Sequence, residues 1–297
     1  MTTATRREPS LAVARRALDA LSAALGIDTP RAARPGAVGL LPPPMLLRAA
    51  DGWVHPGPPT AWADFWTMVS ALGGDLSALA AEAVDAEAGE WMLPAVAVRR
   101  APARAPHAVW PRDRIDVRGA RVVVLGATWA APLAGHVLAR LGADVLRVTD
   151  PRRFDPFPLR DALMVGCDEQ PLDLGAERAA SSLADILASC DLLVDGTTTR
   201  VLGNIGLAEP PVCVVRIAAF AHDNRPGYGF AAECRGGWAA RYDPPRLGRV
   251  SVADPVSALL AVLAAVDALG NGPPRARARV SLEDAVGHLF AVEAAHG

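Results

Sequence analysis

The stretch "RGARVVVLGATWAAPLAGHVLARLGADVLRVTDP", Arg118–Pro151, decides how the rest of the chain is read. "RVVVLG" is a short continuous apolar run, the pattern of a strand covered on both faces rather than on one. "PLAGHVLARLGAD" follows, with Pro132 suited to a first helical turn and Gly142 to a C-terminal stop. "DVLRVTD" is a second strand. Strand, helix and strand in this order predict a parallel pair joined by a right-handed crossover.

The same alternation continues downstream. "SSLADILASCD" predicts a helix, "LLVDG" and "VCVVRIAAF" predict strands, and "ARARVSLEDAVGHLFAVEAAH" predicts a strand running into a last helix. The expected fold class is α/β, a Rossmann-like parallel sheet domain with a smaller N-terminal α+β segment. The first turn, "LGATWAAP", holds one glycine and lacks the G-x-G-x-x-G that lets a backbone approach a pyrophosphate. No Walker A sequence and no G-x-S-x-G elbow occur, which argues against NAD, ATP and serine-hydrolase readings.

Working outward from Arg118, three parts are expected: an N-terminal helix and linker over 1–44, a small tryptophan-rich domain over 45–110, and the α/β domain over 111–297. Leu11, Ala14, Leu18, Leu21 and Leu25 recur at helical spacing. Residues 28–44 and the stretch "RRAPARAPHAVWPRD" are proline- and arginine-rich and read as linkers. Between them lie four of the seven tryptophans, Trp53, Trp62, Trp66 and Trp91, expected to form a small core. "WADFWTMVSALGG" predicts a helix stopping at Gly73.

Bulk composition narrows the function classes. The 297 residues are 51% hydrophobic and 21% charged with a net charge of −2, and the signs are interspersed, so a nucleic-acid partner is not expected. No uninterrupted apolar run reaches membrane-span length, and "MTTATRREPSLAVARRALDA" reads as an amphipathic helix rather than a signal peptide. A cytoplasmic protein with no membrane partner is the expectation. Cys167, Cys190, Cys213 and Cys234 form no CxxC and no zinc-like spacing with histidine, so free thiols and no metal are expected.

In "RVSVADPVSALLAVLAAVDAL", Asp254 sits where a strand hands over to a helix. Asp at the N-cap with Pro255 at the first helical position is a good start signal in itself. The same place offers backbone N–H groups and the positive end of a helix dipole to a functional carboxylate.

Six segments in this order resemble the class III (CaiB/BaiF) CoA-transferase family over roughly residues 118–295. The opening stretch is similar to the family's strand, loop and "LGADVIKVE-P". "QPLDLGAE" resembles "ALDLK", and "CDLLVDGTTTRVLGNIGL" resembles "ADVVVENFRPGVLERLGL". "RIAAFAHDNRPGYGFAAECRGGW" resembles "ISGFG…RPGYD…QAMSGL". "RLGRVSVADPVSALLAVLAAVDAL" resembles "RVGVPVADLTAGLYAAIGILAAL", and "RARVSLEDAVGHLF" resembles the closing strand and helix.

The resemblance implies an enzyme that moves CoA between carboxylic acids, with Asp254 as catalytic nucleophile, capping and reacting from one place. Asp254 attacks an acyl-CoA thioester to give a mixed anhydride, CoA thiolate returns to form an aspartyl thioester, and an acceptor acid takes over the CoA. It implies coenzyme A as substrate, contacted by Thr128, Trp129 and Ala130 and by Arg152 and Arg153, which meet the nucleotide phosphates or stack on adenine. It implies acyl-CoA and carboxylic acid substrates and a homodimer, or a heteromer with a related chain.

Departures are specific. The family's Asn in "ENFRPG" is Gly196 here, "ISGFG" has become "IAAFA", and Tyr228 stands where related racemases place a histidine. These keep open a non-catalytic partner subunit or binding module, and another acyl-CoA enzyme on the same scaffold, an epimerase or a lyase. "LLRAADGWVHPG…WADFWTMVSALGG" resembles the family's later small domain, displaced to the front of the chain.

Overall fold

The structure, a computed structural model, describes residues 10–34, 44–100, 116–152, 159–271 and 275–296. Arg153 and most of the second linker fall outside them.

The sheet domain holds six strands: β4 (Arg121–Leu125), β5 (Asp144–Thr149), β6 (Cys167–Pro171), β7 (Leu192–Asp195), β8 (Cys213–Ala218) and β9 (Arg277–Ser281). Their order is β6-β5-β4-β7-β8-β9, and every neighbouring pair is parallel. Alternate residues serve two faces. Val122, Val124, Val194, Val215 and Ile217 pack with α4 (Ala130–Arg140), α9 (Ala253–Gly270) and α10 (Leu282–His296). Val123, Leu125, Leu193 and Val214 pack with α6 (Ala179–Ala188). The central strands therefore carry continuous apolar runs. The edge strand β6 does not: Cys167–Pro171 reads CDEQP, and four of its five residues are exposed. A polar edge strand gives no hydrophobic signal and resists pairing with another chain, which is why the sequence reading left it out.

Helix α9 is apolar on nearly every side because it is enclosed, with α4, α10, β8 and β9 around it. Its length and hydropathy alone would suit a membrane span. The N-terminal helix α1 (Ser10–Ala24) is another of its neighbours: Val13, Ala14, Ala17, Leu18 and Leu21 are built into the same core. The helix set apart by sequence thus belongs physically to the sheet domain.

Residues 44–100 form a three-stranded antiparallel sheet, β1 (Leu47–Arg48), β2 (Trp53–His55) and β3 (Val96–Ala97), with helices α2 (Trp62–Ala71) and α3 (Ala81–Glu90). The core here corrects the expectation of a tryptophan cluster. Val54, Phe65, Met68, Val69, Val84 and Leu93 fill it, while Trp53 and Trp62 are half-buried and Trp66 and Trp91 exposed. Trp66 follows Phe65 on a helix, so only one of the two can face inward. The small segment docks on α8 (Gly229–Arg235), where Val96 joins Phe220, Ala231 and Cys234 in one cluster. Arg225, buried, donates to the Asp85 and Ala95 carbonyls at 2.8 and 3.0 Å and pairs with the Asp85 carboxylate.

Candidate active site

In an open parallel sheet the ligand crevice lies past the carboxyl ends of the strands, where the strand order reverses. Here the chain runs outward from β4 through β5 to β6, then from β7 through β8 to β9, so the reversal falls between β4 and β7. Gly126 and Gly196 end those two strands and pack against each other and against α4. A Cβ on Gly196 would lie 2.6 Å from the Ala131 Cβ, and Gly126 has φ +132°. The family's asparagine could not fit at Gly196 without moving Ala131. Thr128, with φ +68°, is a β-branched residue in the left-handed region, a strained conformation that concentrates at functional loops. A cleft of about 630 Å³ opens over these turns and extends to Asp254.

Asp254 occupies the second position of α9, which begins at Ala253. Its carboxyl is half-buried and lines the cleft. It is held by the Ser251 hydroxyl and by the N–H groups of Gly229 and of Asp254 itself. Gly229 is required there: a Cβ would lie 1.9 Å from Ser251 Oγ and 2.0 Å from Asp254 Oδ2. Burial pushes the Asp254 carboxyl up to about 6.

The expectation that Asp254 also caps its helix is corrected. The orphan N–H groups of Val252 and Ala253 donate to Oε1 of Glu233 at 2.7 and 3.3 Å, across from α8. Glu233 is 1% exposed, and burial pushes its carboxyl up to about 8. A cap supplied from another helix leaves the Asp254 side chain free to face the cleft. Nothing in sequence spacing links residue 233 to residue 252; an acid inside the apolar segment "GFAAEC" was the available signal.

The other sequence-expected contacts divide. Thr128 and Ala130 line the cleft. Trp129 does not: its indole N–H donates to the Ala32 carbonyl at 3.0 Å in the core, drawn inward by the apolar ring. Arg152 is not among the lining residues and is held by two carboxylates, with Nη2 2.9 Å from Asp150 and Nε 2.6 Å from Asp173. Arg153 lies outside the described residues.

Five other arginines line the cleft, Arg147, Arg160, Arg216, Arg225 and Arg279, against Asp150, Asp223 and Asp254. Asp195, at the end of β7, accepts from Arg216 Nε at 3.0 Å and from the Thr197 hydroxyl and N–H. Arg279 sits directly across β8–β9 from Arg216. Its guanidinium donates to Asn224 Oδ1 at 3.2 Å and to the Phe220 and Asp223 carbonyls at 2.8 and 3.0 Å, all neutral oxygens. Burial and the Arg216 charge lower its pKa. The sequence signal was there: an arginine interrupts each of the strands "DVLRVTD", "VCVVRIAAF" and "ARARV".

The topology and the cleft define an open parallel α/β protein whose cleft lies at the carboxyl ends of its strands. Residues 117–279 match CoA-transferase family III. The chain belongs to that family. Succinyl-CoA–D-citramalate CoA-transferase of Chloroflexus aurantiacus is 26% identical over 189 residues, 54% of this chain and 46% of that protein, so the chain spans about half the length of this curated relative. A hypothetical protein of Mycobacterium tuberculosis, Rv3272, superposes with a TM-score of 0.52 at 21% identity, covering 61% of this chain and 59% of its own. Its orthorhombic form gives 0.51 at 22% identity, covering 61% and 57%.

Proposed function

We propose that the protein moves CoA between carboxylic acids through a covalent intermediate on Asp254. The observation that carries this is a cleft-facing carboxyl at a helix start, relieved of capping by Glu233 and seated against Gly229. A carboxylate pushed up to about 6 is ionised at neutral pH and more nucleophilic than an ordinary one.

Asp254 adds to the thioester carbonyl, the C–S bond breaks, and CoA leaves as thiolate from a mixed anhydride. The thiolate attacks the Asp254 carbonyl and releases the donor acid as carboxylate, leaving an aspartyl-CoA thioester. An acceptor carboxylate attacks that thioester, the thiolate leaves and then takes the acceptor's acyl group, and the Asp254 carboxylate is restored. The Gly229 N–H and the positive end of α9 face the negative charge that develops at each addition.

The cleft suits a long ligand whose charge lies far from its reacting atom. Val215, Ile217, Ala278 and Val280 face α9, so Arg216 and Arg279 alternate to the opposite face of the sheet. A CoA thioester, with its phosphates and thioester at opposite ends, suits cations set on the sheet face away from the helix that carries Asp254.

Succinyl-CoA, named for the Chloroflexus relative, is the first donor to offer. The experiment is intact mass after incubation with acyl-CoA: a CoA adduct on the peptide bearing Asp254, absent in Asp254→Asn. Failure to trap any adduct, with CoA still bound, favours a non-catalytic partner subunit. From membership of the family, we propose a homodimer, or a heteromer with a related chain, as the working assembly.

A further inference from the structure

We propose that Glu233 is a positioning residue for Asp254: a buried carboxylic acid that caps α9 in its place and, through Ser251, fixes the orientation of its carboxyl. This rests on the reading of Asp254 as nucleophile. Three contacts define the device. Oε1 of Glu233 accepts from the N–H groups of Val252 and Ala253 at the start of α9, at 2.7 and 3.3 Å. Ser251 stands between the two acids: its Oγ accepts from the Asp254 N–H at 3.5 Å, and its hydroxyl lies within reach of both carboxyls. Gly229 opens the space in which Ser251 and Asp254 meet, since a Cβ there would overlap both side chains.

The hydrogen count selects one arrangement. Ser251 has a single hydroxyl hydrogen. With Glu233 in its acid form, its O–H donates to Ser251 Oγ, and the Ser251 hydrogen is left for the Asp254 carboxylate. With Glu233 ionised, both carboxylates compete for that one hydrogen, and a second negative charge stands beside the nucleophile. Burial favours the acid form. The groups on elements packed against α8 do not reverse this. His55 on β2 is held neutral-leaning by its own burial, Arg241 is paired with Glu293 of α10, His288 on α10 is likewise lowered by burial, and Arg235 on α8 itself pairs with Asp223. Among the described residues, no cation forms an ion pair with Glu233, and the neighbouring Asp254 charge opposes its ionisation.

The test compares Glu233→Gln with Glu233→Ala. Glutamine keeps a carbonyl oxygen for the two α9 amides and an N–H donor for Ser251, so it mimics the acid form at every pH. Alanine should lower kcat about tenfold or more with KM little changed, as misorientation does, and glutamine should rescue most of that loss. The unaltered enzyme should lose activity as pH rises through about 8, and Glu233→Gln should lack that fall. Glutamine as damaging as alanine, or a glutamine variant with the same alkaline fall, would overturn the proposal. A second measurement needs no turnover: carbon-13 NMR of aspartate-labelled protein. The Asp254 carboxyl resonance should show a second inflection near the Glu233 titration, abolished in Glu233→Gln. An inflection that persists rejects the coupling even if no transferase activity is found, and its loss supports the coupling on the same terms.

Discussion

The Asp254 carboxyl lies where a side chain on Gly229 would have to be: Oδ2 is 2.0 Å from the position of a Cβ on that glycine. The contact is an exclusion, and it makes Gly229 as specific as the aspartate. Alanine at residue 229 must displace either Asp254 or Ser251, since Ser251 Oγ is nearer still. A misplacement of the reacting group by about 1 Å costs on the order of a hundredfold in rate. Gly229→Ala should therefore lower kcat by about that factor while the chain still folds, since Gly229 starts α8 at an ordinary negative φ. Wild-type turnover with unchanged circular dichroism would show that the carboxyl need not sit there.

The division of labour between Asp254 and Glu233 separates stability from chemistry. Asp254→Asn and Asp254→Ala should both abolish transfer. Asn keeps an acceptor for the Gly229 N–H and should change stability by less than about 1 kcal/mol, while Ala leaves that N–H without its acceptor and should cost about 1–3 kcal/mol. Glu233→Ala strands two buried N–H groups and should cost about 1–3 kcal/mol for each. Urea denaturation of the three variants reads this directly. An Asp254→Ala loss as large as the Glu233→Ala loss would return the capping role to Asp254.

What the sequence shows well is what repeats. The Val-rich β4 and β7 and the apolar α9 are legible because each is buried on both sides or all round, so their composition alone marks them. The polar edge strand β6 and the short α7 (Thr199–Asn204) carry no such period. Asp254 was legible through its motif, but its cap was not, because Glu233 arrives from a helix about twenty residues away and only the folded chain brings it to Val252. Trp129 and Arg152 were misjudged for one reason: a loop position names the neighbourhood but not the direction of the side chain.

A buried ion pair joins the small segment to the sheet domain beside the apolar cluster. Arg225 is 3% exposed and Asp85 4%. Breaking such a pair from one side leaves a buried charge and costs about 3–5 kcal/mol. Arg225→Ala should lower the melting temperature sharply and expose residues 44–100 to limited proteolysis before the sheet domain. The double variant Arg225→Met/Asp85→Leu should recover much of the loss. Proteolysis unchanged from the parent would mean that the cluster of Val96, Phe220 and Ala231 holds the segment alone.

Above the usual histidine range, stability should fall as pH rises to about 8; below it the burial-lowered His55, His136 and His288 oppose that fall. Both carboxyls at the start of α9 have folded values pushed upward by burial, Asp254 to about 6 and Glu233 to about 8. Between the unfolded and folded values the unfolded chain has released protons that the folded chain keeps, so raising the pH favours unfolding. Below the usual carboxylate range the sign reverses, because groups such as Asp116, held at about 2 by its hydrogen bonds from Arg118, then lose native-state stabilisation. Calorimetric melts across this range should show the alkaline slope flattened in Glu233→Gln and flattened less in Asp254→Asn. A slope unchanged in both variants would assign it to other groups.

Arg279 should matter to CoA affinity, and Arg152 should not. Arg152 has two carboxylate partners and lies outside the cleft lining. Arg279 lines the cleft, is aimed by three neutral oxygens, and has no carboxylate at ion-pair distance among the described residues. Its charge, next to that of Arg216, is therefore available to an incoming phosphate, while the Asp195 carboxylate already offsets that of Arg216. A hydrogen bond to a charged group contributes about 1.5–3 kcal/mol, so Arg279→Ala should weaken CoA binding by roughly ten- to a hundredfold. The weakening should shrink as salt is raised. Calorimetry with CoA, with 3′-dephospho-CoA and with pantetheine locates the contact. Pantetheine should bind the parent and Arg279→Ala alike, and the phosphate that Arg279 meets is the one whose removal erases the difference between the two proteins. Equal CoA affinities in the parent and Arg279→Ala, with a loss in Arg152→Ala, would move the phosphates back to the loop after β5.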